Sequence, residues 1–314
     1  MANYRIDAFV QAWNMDASES VFFSRQLEQI RAQTYDIKLL ELKARGFLPV
    51  DNSISPGAEV VTYRQYNSVG VAKILANYGD DLPRADVKGL EFTSKIRGIG
   101  ASYGFSMQEI RAAQFAGMPL EQRKANAARR SIEQKIDSLA QVGDSKHGLL
   151  GMLNQTNTTA FTVVNGAAGT ATFATKTADE VLNDLHGIAN GIVASTKGAE
   201  VPDTLILPIA QYTAIATRRV STVSDTTILE FFLQSSPYIK MVDHWHALAG
   251  TGAGGTDRMV CYRKDPDALQ LIIPQEFEQM PPQLRGFESV TPCHARCGGV
   301  VMYYPLSMSY GDGI

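Results

Sequence analysis

The stretch GDSKHGLLGMLN, residues 143 to 154, brings together side chains that could do chemistry. Asp144, Lys146 and His147 stand within four positions, a grouping that would suit general acid or base catalysis. The same stretch follows a strongly periodic helix, and Gly143 is placed where a left-handed glycine commonly ends one. A cation near the last carbonyls of a helix is electrostatically favoured. Helix termination therefore accounts for these residues without catalysis.

Two further groups have ligand types that bind metals. In DHWH the imidazoles of His244 and His246 are two positions apart, so on a strand they would face one side. CHARC, with Cys293 and Cys297, resembles half of a zinc site, and Cys261 is the only other cysteine. Neither group has further ligands close by in the sequence. A polar strand end and buried free thiols are the favoured interpretations, and we predict no metal and no cofactor.

The familiar catalytic motifs do not occur in the sequence. GTGAGGT, residues 250 to 256, is rich in glycine but has neither the spacing nor the lysine of a phosphate-binding loop. There is no G-x-S-x-G elbow and no H-E-x-x-H helix. We therefore predict no catalytic residue and no enzyme. A soluble oligomeric enzyme that uses His244, His246 or Cys293 is the alternative from a different functional class.

The composition is that of a soluble globular protein. The chain has 314 residues, of which 45% are hydrophobic and 19% charged, and its formal net charge is −3. This charge does not mark the whole chain as a nucleic-acid binder. Three cysteines without a spacing pattern fit a reducing cytoplasm rather than a disulfide framework. We expect no signal peptide, and no apolar run approaches the ~20 residues that span a bilayer.

An amphipathic helix is predicted near the start of the chain. Asp16 and Ser18 are candidate N-caps, and Phe23, Leu27 and Ile30 follow at helical spacing. Little sequence surrounds this helix to cover its apolar face. Its partner is therefore expected in another part of the fold or in another chain.

Residues 58 to 106 favour an extended β-hairpin. Two runs rich in β-branched and aromatic residues, 58–75 and 90–106, flank the turn-forming stretch 76–89. The faces of this hairpin are too polar for a buried sheet, and a free two-stranded hairpin is marginally stable in water. We therefore expect a neighbouring subunit to hold it. The candidate interface residues are Tyr63, Arg64, Tyr66, Lys73, Arg84, Lys95 and Arg97.

Two capped helices are predicted next. Ser106 and Glu109 form a capping box, and Gly117 ends the first helix. One apolar stripe runs along the second helix and consists of Leu120, Ala128, Ile132, Ile136 and Leu139. The rest of that helix is polar and strongly basic. Its basic face, made of Arg123, Lys124, Arg129 and Arg130, is solvated, or it meets packaged nucleic acid or a neighbour's carboxylates.

The second half of the chain predicts an α+β module. Residues 155–177 indicate a linker or a loose hairpin, and 178–196 a helix. Further helices and strands follow without regular alternation, which argues against a doubly wound sheet. The tail from residue 287 onward predicts two strands separated by Gly298 and Gly299.

The order of these pieces resembles the major capsid proteins of tailed bacteriophages, which have the Hong Kong 97-type fold. GVAKILANYGDDLPRADV is similar to the family's extended loop, and YGFSMQEIRAAQFAGMPLEQRKANAARRSIEQKIDSLAQVGD to its lead-in and spine helix. GLLGMLN is similar to the turn after that helix, and FESVTPCHARCGGVVMYYPLSM to the closing strand. The likeness runs from about Phe22 to the end of the chain.

The resemblance implies an α+β fold with four parts. They are an N-terminal arm (1–46), an extended loop (47–91), a peripheral domain with the spine helix (92–160 and 276–300) and an axial domain (161–275 and 301–314). In this family the extended loop would lie over the neighbouring subunit. The axial domain would meet its copies at the centre of the capsomer, and the peripheral domain would meet other capsomers.

The resemblance also implies a self-assembling structural protein. Hexamers and pentamers would build an icosahedral virion capsid around double-stranded DNA, assembled in the host cytoplasm. The implied partners are copies of the chain, portal, scaffolding or decoration proteins, and DNA through non-specific contacts, with no membrane. Some relatives crosslink a loop lysine to a neighbour's asparagine, and Lys73 lies in that region, but no partner asparagine is identifiable. An encapsulin-type bacterial compartment with a protein cargo is the nearest alternative.

Overall fold

The computed structural model describes residues 40–73, 84–117 and 120–314. The helix predicted near the start and most of the loop predicted at 76–89 lie outside these residues. Residues Leu42–Ile314 form one unit, which is described below. Its α-helices are α1 (Ala44–Phe47), α2 (Met107–Ala116), α3 (Leu120–Gln141), α4 (Ala178–Ser195), α5 (Ile209–Thr217) and α6 (Ile228–Ser235). Short 3-10 helices lie at Met152–Asn154, His246–Leu248, Ala253–Gly255 and Pro305–Ser307.

In the part of the chain that the structure describes, the strands form five sheets or ribbons. In chain order they are β1 (Val50–Asp51), β2 (Val60–Val69), β3 (Asp86–Lys95), β4 (Arg97–Ser106), β5 (Gly143–Asp144), β6 (Leu149–Leu150), β7 (Thr159–Thr162), β8 (Thr204–Leu207), β9 (Met241–His244), β10 (Arg258–Tyr262), β11 (Leu269–Ile272), β12 (Gln275–Gln279), β13 (Gln283–Arg285), β14 (Glu288–Cys297), β15 (Gly299–Met302) and β16 (Met308–Asp312). Strands β1, β11 and β15 form a small three-stranded sheet, and β5 pairs with β6. Among the described residues, no helix is long and apolar enough to cross a membrane.

The predicted hairpin is confirmed as the β2–β3 ribbon. Its register runs from Val60 opposite Lys95 to Val69 opposite Asp86. The prediction that residues 90–106 form one strand is wrong in two respects. Strand β3 begins earlier, inside the predicted loop, and the run divides at Ile96, whose side chain is buried. Burial of that side chain ends the ribbon, and the chain continues as β4 in a different sheet.

The sheet that supports the long helix is organised around β14. Strand β4 pairs with β14 along ten residues, and the other edge of β14 holds β13 and then β12. Helix α3 packs against this sheet through Ile132, Ile136 and Leu139, which are buried in one cluster. The predicted apolar stripe is confirmed for these residues and for Ala128. The helix ends before Gly143, whose φ is +74° as predicted for a terminating glycine.

A second sheet has the order β7–β16–β10–β8–β9. Its strand β8 is buried along its whole length. Leu205 and Leu207 belong to the apolar cluster around α4, while Ile206 belongs to the cluster that contains α3. Alternate side chains of one strand therefore enter two different cores, which explains a continuous apolar run without a polar face.

Two expectations for the second half of the chain are wrong. Residues 155–177 are not only a linker, because Thr159–Thr162 forms β7, parallel to β16. The tail has three strands rather than two, since β16 (Met308–Asp312) follows β14 and β15. Strand β7 finds its partner about 150 residues later in the chain. Four residues of mixed polarity carry no local periodicity that would indicate such a pairing.

Candidate assembly interface

The root of the β2–β3 ribbon is fixed to the body of its own subunit. The Tyr63 hydroxyl donates a 3.2 Å hydrogen bond to the carbonyl of Met302. Its ring stacks on Phe92 at 5.2 Å between centroids and meets Tyr303 edge-on at 4.9 Å. Gln65 Nε2 donates to the carbonyl of Tyr303. The expectation that the hairpin finds partners only in a neighbour is therefore wrong for Tyr63, whose pKa is raised by burial.

Beyond this root, the ribbon carries large apolar side chains in the open. We call its outer part, residues 66–73 and 84–90, the distal ribbon. Tyr66 is 68% exposed and Leu90 61% exposed, and Val71 and Val87 are exposed as well. Tyr66 and Val87 lie on one face of the ribbon and Leu90 on the other, so both faces carry exposed apolar side chains of the kind found at protein–protein contacts.

The charged candidates on this ribbon have different surroundings. Arg64 Nε donates to Glu91 Oε1 across the two strands at 2.7 Å, so it has a partner in its own chain. Both side chains are well exposed, and a pair of this kind stabilises little by itself. Lys73 and Arg84 lie at the outer end of the distal ribbon. Their role at an interface stays a prediction.

Lys95 and Arg97 lie elsewhere. They flank the buried Ile96 where β3 passes into β4, at the root of the ribbon rather than at its outer end. Alternate residues of an extended chain point to the same side, so both cations point away from the core. The structure therefore does not bring the seven predicted interface residues together. It divides them between the two ends of the ribbon.

The basic residues of α3 do not form a single free face. Lys124 Nζ donates to the carbonyl of Gly104 at 2.8 Å and to Glu109 Oε2 at 3.0 Å. It also lies 4.7 Å from the centroid of the Phe105 ring. The hydrogen bond from Lys124, together with the Ser106 backbone N–H, lowers the pKa of Glu109. Lys124 therefore ties α3 to β4 and α2.

The other three residues of the predicted basic face have different surroundings. The Arg129 guanidinium lies 5.9 Å from the ring centroid of Phe277, Arg130 is half-buried, and Arg123 is exposed. Successive residues of a helix are about 100° apart, so Arg123 and Arg130, two turns apart, share a face, while Lys124 and Arg129 lie about 100° away on either side of it. The predicted basic face is corrected to separate contacts.

The candidate thiols are buried in the core, whereas the two candidate histidines are only partly buried. Strand β9 ends at His244, and Trp245 is buried between the two histidines. All three cysteines are free and buried, and burial raises the pKa of Cys297 to about 11. Within the part of the chain that the structure describes, no three His, Cys, Asp or Glu residues are grouped as metal ligands.

The turn in GDSKHG is held by its own carboxylate. Asp144 Oδ1 accepts a hydrogen bond from the Lys146 backbone N–H at 3.0 Å, and Asp144 Oδ2 lies 2.8 Å from His147 Nδ1. The bond with His147 lowers the pKa of Asp144. Gly148, with φ of +72°, completes the turn between β5 and β6. These side chains have a structural role as the end of α3.

Sequence analysis missed a second exposed apolar surface. At the β13–β14 turn, Leu284 is 85% and Phe287 84% exposed. The carbonyl of Phe287 accepts a 3.0 Å hydrogen bond from the N–H of Met107, so the start of α2 adjoins this turn. We call these three residues the apolar tip. The signal in the sequence was two large apolar residues beside the turn glycine Gly286.

Comparison with known proteins decides the family. The model of the family described as "Major capsid protein" matches residues 70–314, which is most of the chain. The chain belongs to the major capsid protein family. Its role is structural: it is a capsid shell protein. No curated protein sequence matches this capsid protein.

Solved capsid structures share the fold of this capsid protein. The capsid of Myoviridae phage XM1 aligns with a TM-score of 0.81 at 18% identity, covering 94% of this chain and 99% of that one. A Mycobacterium phage Ogopogo structure gives 0.60 at 11% identity, with 93% and 99% covered. The capsid of an empty GTA particle gives 0.61 at 10% identity, with 95% and 99% covered. The predicted Hong Kong 97-type fold is confirmed.

Proposed function

We propose that this capsid protein assembles into hexamers and pentamers of an icosahedral head, with the distal ribbon lying across an adjacent subunit. The observation that supports this most directly is the contrast within one ribbon. Its root is fixed by Tyr63, whereas Tyr66 and Leu90 are exposed. In this arrangement a second copy of the chain buries these exposed side chains.

The energetic reason is the repetition of one contact. Burying a large apolar side chain stabilises an interface by on the order of 1.5–3 kcal/mol. The ordering of the side chains and the association itself offset much of that gain. In a closed symmetric assembly every subunit both gives and receives the ribbon, so a modest contact recurs around each ring.

The remaining parts of the chain follow the family arrangement. The peripheral domain, residues 92–160 and 276–300, would meet other capsomers, and the apolar tip gives it a surface for that contact. The axial domain, residues 161–275 and 301–314, would meet its copies at the centre of the capsomer. Portal, scaffolding or decoration proteins would be further partners, with DNA bound through non-specific contacts inside a particle assembled in the host cytoplasm.

Truncation of the ribbon tests this proposal. Replacing residues 66–88 with a short Gly-Ser turn keeps the Tyr63–Phe92 and Gln65–Leu90 pairs and the root contacts. We expect a soluble subunit with unchanged circular dichroism that no longer forms closed particles in electron micrographs. Thr62→Ser, a mild change near the root, serves as the control and should assemble normally. Regular closed particles from the truncated chain would contradict the proposal.

The contents of the particle separate a phage head from an encapsulin-type compartment. The family match and the phage capsid neighbours favour the head. Particles purified from producing cells and treated with nuclease should retain protected double-stranded DNA. Mass spectrometry that finds a stoichiometric enzyme and no protected DNA would instead support the compartment.

A further inference from the structure

A cleft of about 420 Å³ lies between β4, α3 and the β5–β6 turn. Its charged lining comes from all three elements and consists of Arg97, Lys135, Asp144 and His147. We call this the basic cleft. The lining also has an apolar part, which includes the buried side chains of Ile132 and Leu149. Charges beside walls of low dielectric constant act on a ligand more strongly than charges in open water do.

The two strongest cations of the basic cleft are unpaired in the part of the chain that the structure describes. Neither Arg97 nor Lys135 has an ion pair or a side-chain hydrogen bond there. Asp144 is the one acidic residue of this lining, and its carboxylate oxygens are already bound to the Lys146 backbone N–H and to His147 Nδ1. Unpaired cations on different walls of one cleft raise its positive potential and favour an anion between them.

Two more cations adjoin the same place. Lys95 Cδ and Nζ lie 3.6 and 3.7 Å from the position that a β-carbon on Gly148 would occupy, so Lys95 lies against the β5–β6 turn. Lys146 is an exposed residue of that turn. Four cations therefore surround a single carboxylate, that of Asp144, and the balance of charge at the cleft is positive.

Backbone donors add to these cations at the open edge of β4. In the β4–β14 ladder Ser102 lies opposite Pro292, and the carbonyl of Pro292 accepts a 2.9 Å hydrogen bond from the Met280 N–H, on the β12 side. Alternate residues of an antiparallel strand turn their N–H and C=O groups to opposite edges. Gly98 and Gly100, which alternate with Ser102, therefore turn their N–H groups away from β14, to the edge on which no described strand pairs with β4.

These backbone donors belong to the basic cleft. Gly98 and Gly100 both line it, and neither has a side chain that would keep a ligand away from its N–H group. The direction of the alternation is supported by Gly104, whose carbonyl accepts from Lys124 Nζ at 2.8 Å and so also faces away from β14. Main-chain N–H groups beside lysine and arginine side chains are donors that suit the oxygens of a phosphate.

We propose that the basic cleft binds one small phosphate-bearing anion, such as inorganic phosphate or pyrophosphate. Arg97 and Lys135 are the charged donors, and the N–H groups of Gly98 and Gly100 are the backbone donors. A phosphate group accepts hydrogen bonds through more oxygens than a carboxylate does, so it can bind donors on several walls at once. The site lies within one subunit, and the inference therefore does not depend on where the ribbon lies.

A small anion fits the basic cleft better than duplex DNA does. The duplex presents a regular row of phosphates and is bound by cations spread along a stripe. Here the donors of β4, α3 and the β5–β6 turn converge on one cleft. Backbone phosphates of DNA are the other source of the same chemistry, and the experiment below separates the two.

Titration of the full-length chain tests this inference. Isothermal titration calorimetry in a phosphate-free buffer of constant ionic strength should show inorganic phosphate binding once per subunit, whereas chloride should give no binding heat. Phosphate should also raise the thermal unfolding midpoint, because a ligand that binds only the folded state stabilises it. In the cleft variant Arg97→Gln/Lys135→Gln the affinity for phosphate should fall roughly tenfold or more, since two charged hydrogen-bond donors are lost.

A matched control and a milder variant accompany the cleft variant. Lys197→Gln/Lys240→Gln makes the same change in net charge at exposed lysines outside the cleft lining and should bind phosphate normally. The cleft variant should keep the unfolding midpoint of the ligand-free chain, because Arg97 and Lys135 are exposed. If it is unstable, Lys135→Gln alone, which changes one exposed residue of α3, should still show the weaker binding.

The outcomes are distinct. Absence of saturable phosphate binding would overturn the inference, as would equal affinities in the cleft variant and the unsubstituted chain. A short DNA duplex, titrated in the same buffer, separates the two sources of phosphate. If the duplex binds through Arg97 and Lys135 while inorganic phosphate does not, the cleft takes backbone phosphates, and the assignment to a small anion is overturned.

Discussion

The ring of Tyr63 meets the ring of Tyr303 edge-on, with their centroids 4.9 Å apart. This contact joins two positions that are 240 residues apart in the chain and fixes where the ribbon leaves the body of the subunit. Tyr66, three residues along the same strand, points to the other face and is 68% exposed. One strand therefore carries an internal anchor and an external surface in close succession.

Alanine substitutions at these two tyrosines should affect different properties: the stability of the subunit for Tyr63 and the yield of particles for Tyr66. Tyr63→Ala removes the hydrogen bond and both ring contacts, and we expect the isolated subunit to lose about 1–3 kcal/mol of unfolding free energy. Tyr66→Ala removes an exposed side chain, so the subunit should change by no more than about 0.5 kcal/mol while particle yield falls. Urea unfolding and electron microscopy of both variants measure this. Equal losses of subunit stability would show that Tyr66 is also an internal contact.

The two tyrosines also show where sequence analysis stops. Residue type and alternation predicted the hairpin and identified both side chains as interface candidates. They could not separate the two, because the anchor of Tyr63 is formed by Met302 and Tyr303 near the other end of the chain. Strand β7 was not predicted for the same reason, because its partner β16 is also distant in sequence. Pairing between distant segments leaves no local signal.

The long helix was predictable because its signal is local. Ile132 recurs at helical spacing with Ile136 and is buried as expected. The direction of each basic side chain was not predictable, since Lys124 is fixed by Gly104 and Glu109 rather than by its own helix. Local periodicity therefore predicted the helix. Which of its polar side chains remain free depends on tertiary contacts that the local sequence does not show.

Substitution of Ile132 tests the position of the apolar stripe. Ile132→Ala should destabilise the subunit by about 2–5 kcal/mol, because it leaves a cavity in a packed core. Ile132→Asp would bury an unpaired charge and should give insoluble or unassembled protein. Gln134, an exposed residue of the same helix, provides the control, since Gln134→Ala should cost no more than about 0.5 kcal/mol. Soluble protein and normal shells from Ile132→Asp would mean that the stripe is misplaced.

The three thiols should be unreactive in the folded subunit. Cys261, Cys293 and Cys297 are buried, and with its pKa raised to about 11, Cys297 is protonated at neutral pH. We expect a thiol reagent at pH 7 to label all three only after unfolding in denaturant. A chelator should leave the unfolding midpoint unchanged, and Cys293→Ser/Cys297→Ser should still assemble. Rapid labelling of the native protein, or destabilisation by chelator, would reveal a reactive or metal-bound thiol.

The buried ion pair between Lys176 and Asp184, near the start of α4, should contribute strongly to the stability of the subunit. The two side chains are 1% and 6% exposed, and the ammonium donates directly to the carboxylate. Removing one partner of a buried pair leaves an uncompensated charge, so Lys176→Met should cost about 3–5 kcal/mol. Replacing both, as Lys176→Met/Asp184→Leu, should recover most of that loss. Urea unfolding of the single and double variants measures the difference, and a double variant no better than the single would contradict it.

The loss in Lys176→Met should also depend on pH. Burial already raises the pKa of Asp184, although the hydrogen bond from Lys176 opposes this. Without the lysine, the folded-state pKa rises further above the value of about 3.9 in the unfolded chain. Between those two values the folded state binds more protons, so the stabilisation present at about pH 4 is lost as the pH rises through the folded-state pKa. The deficit of the variant relative to the unsubstituted protein should therefore be smaller at pH 4.5 than at pH 7.5. An equal deficit at both pH values would show that the Asp184 carboxylate finds another partner once Lys176 is gone.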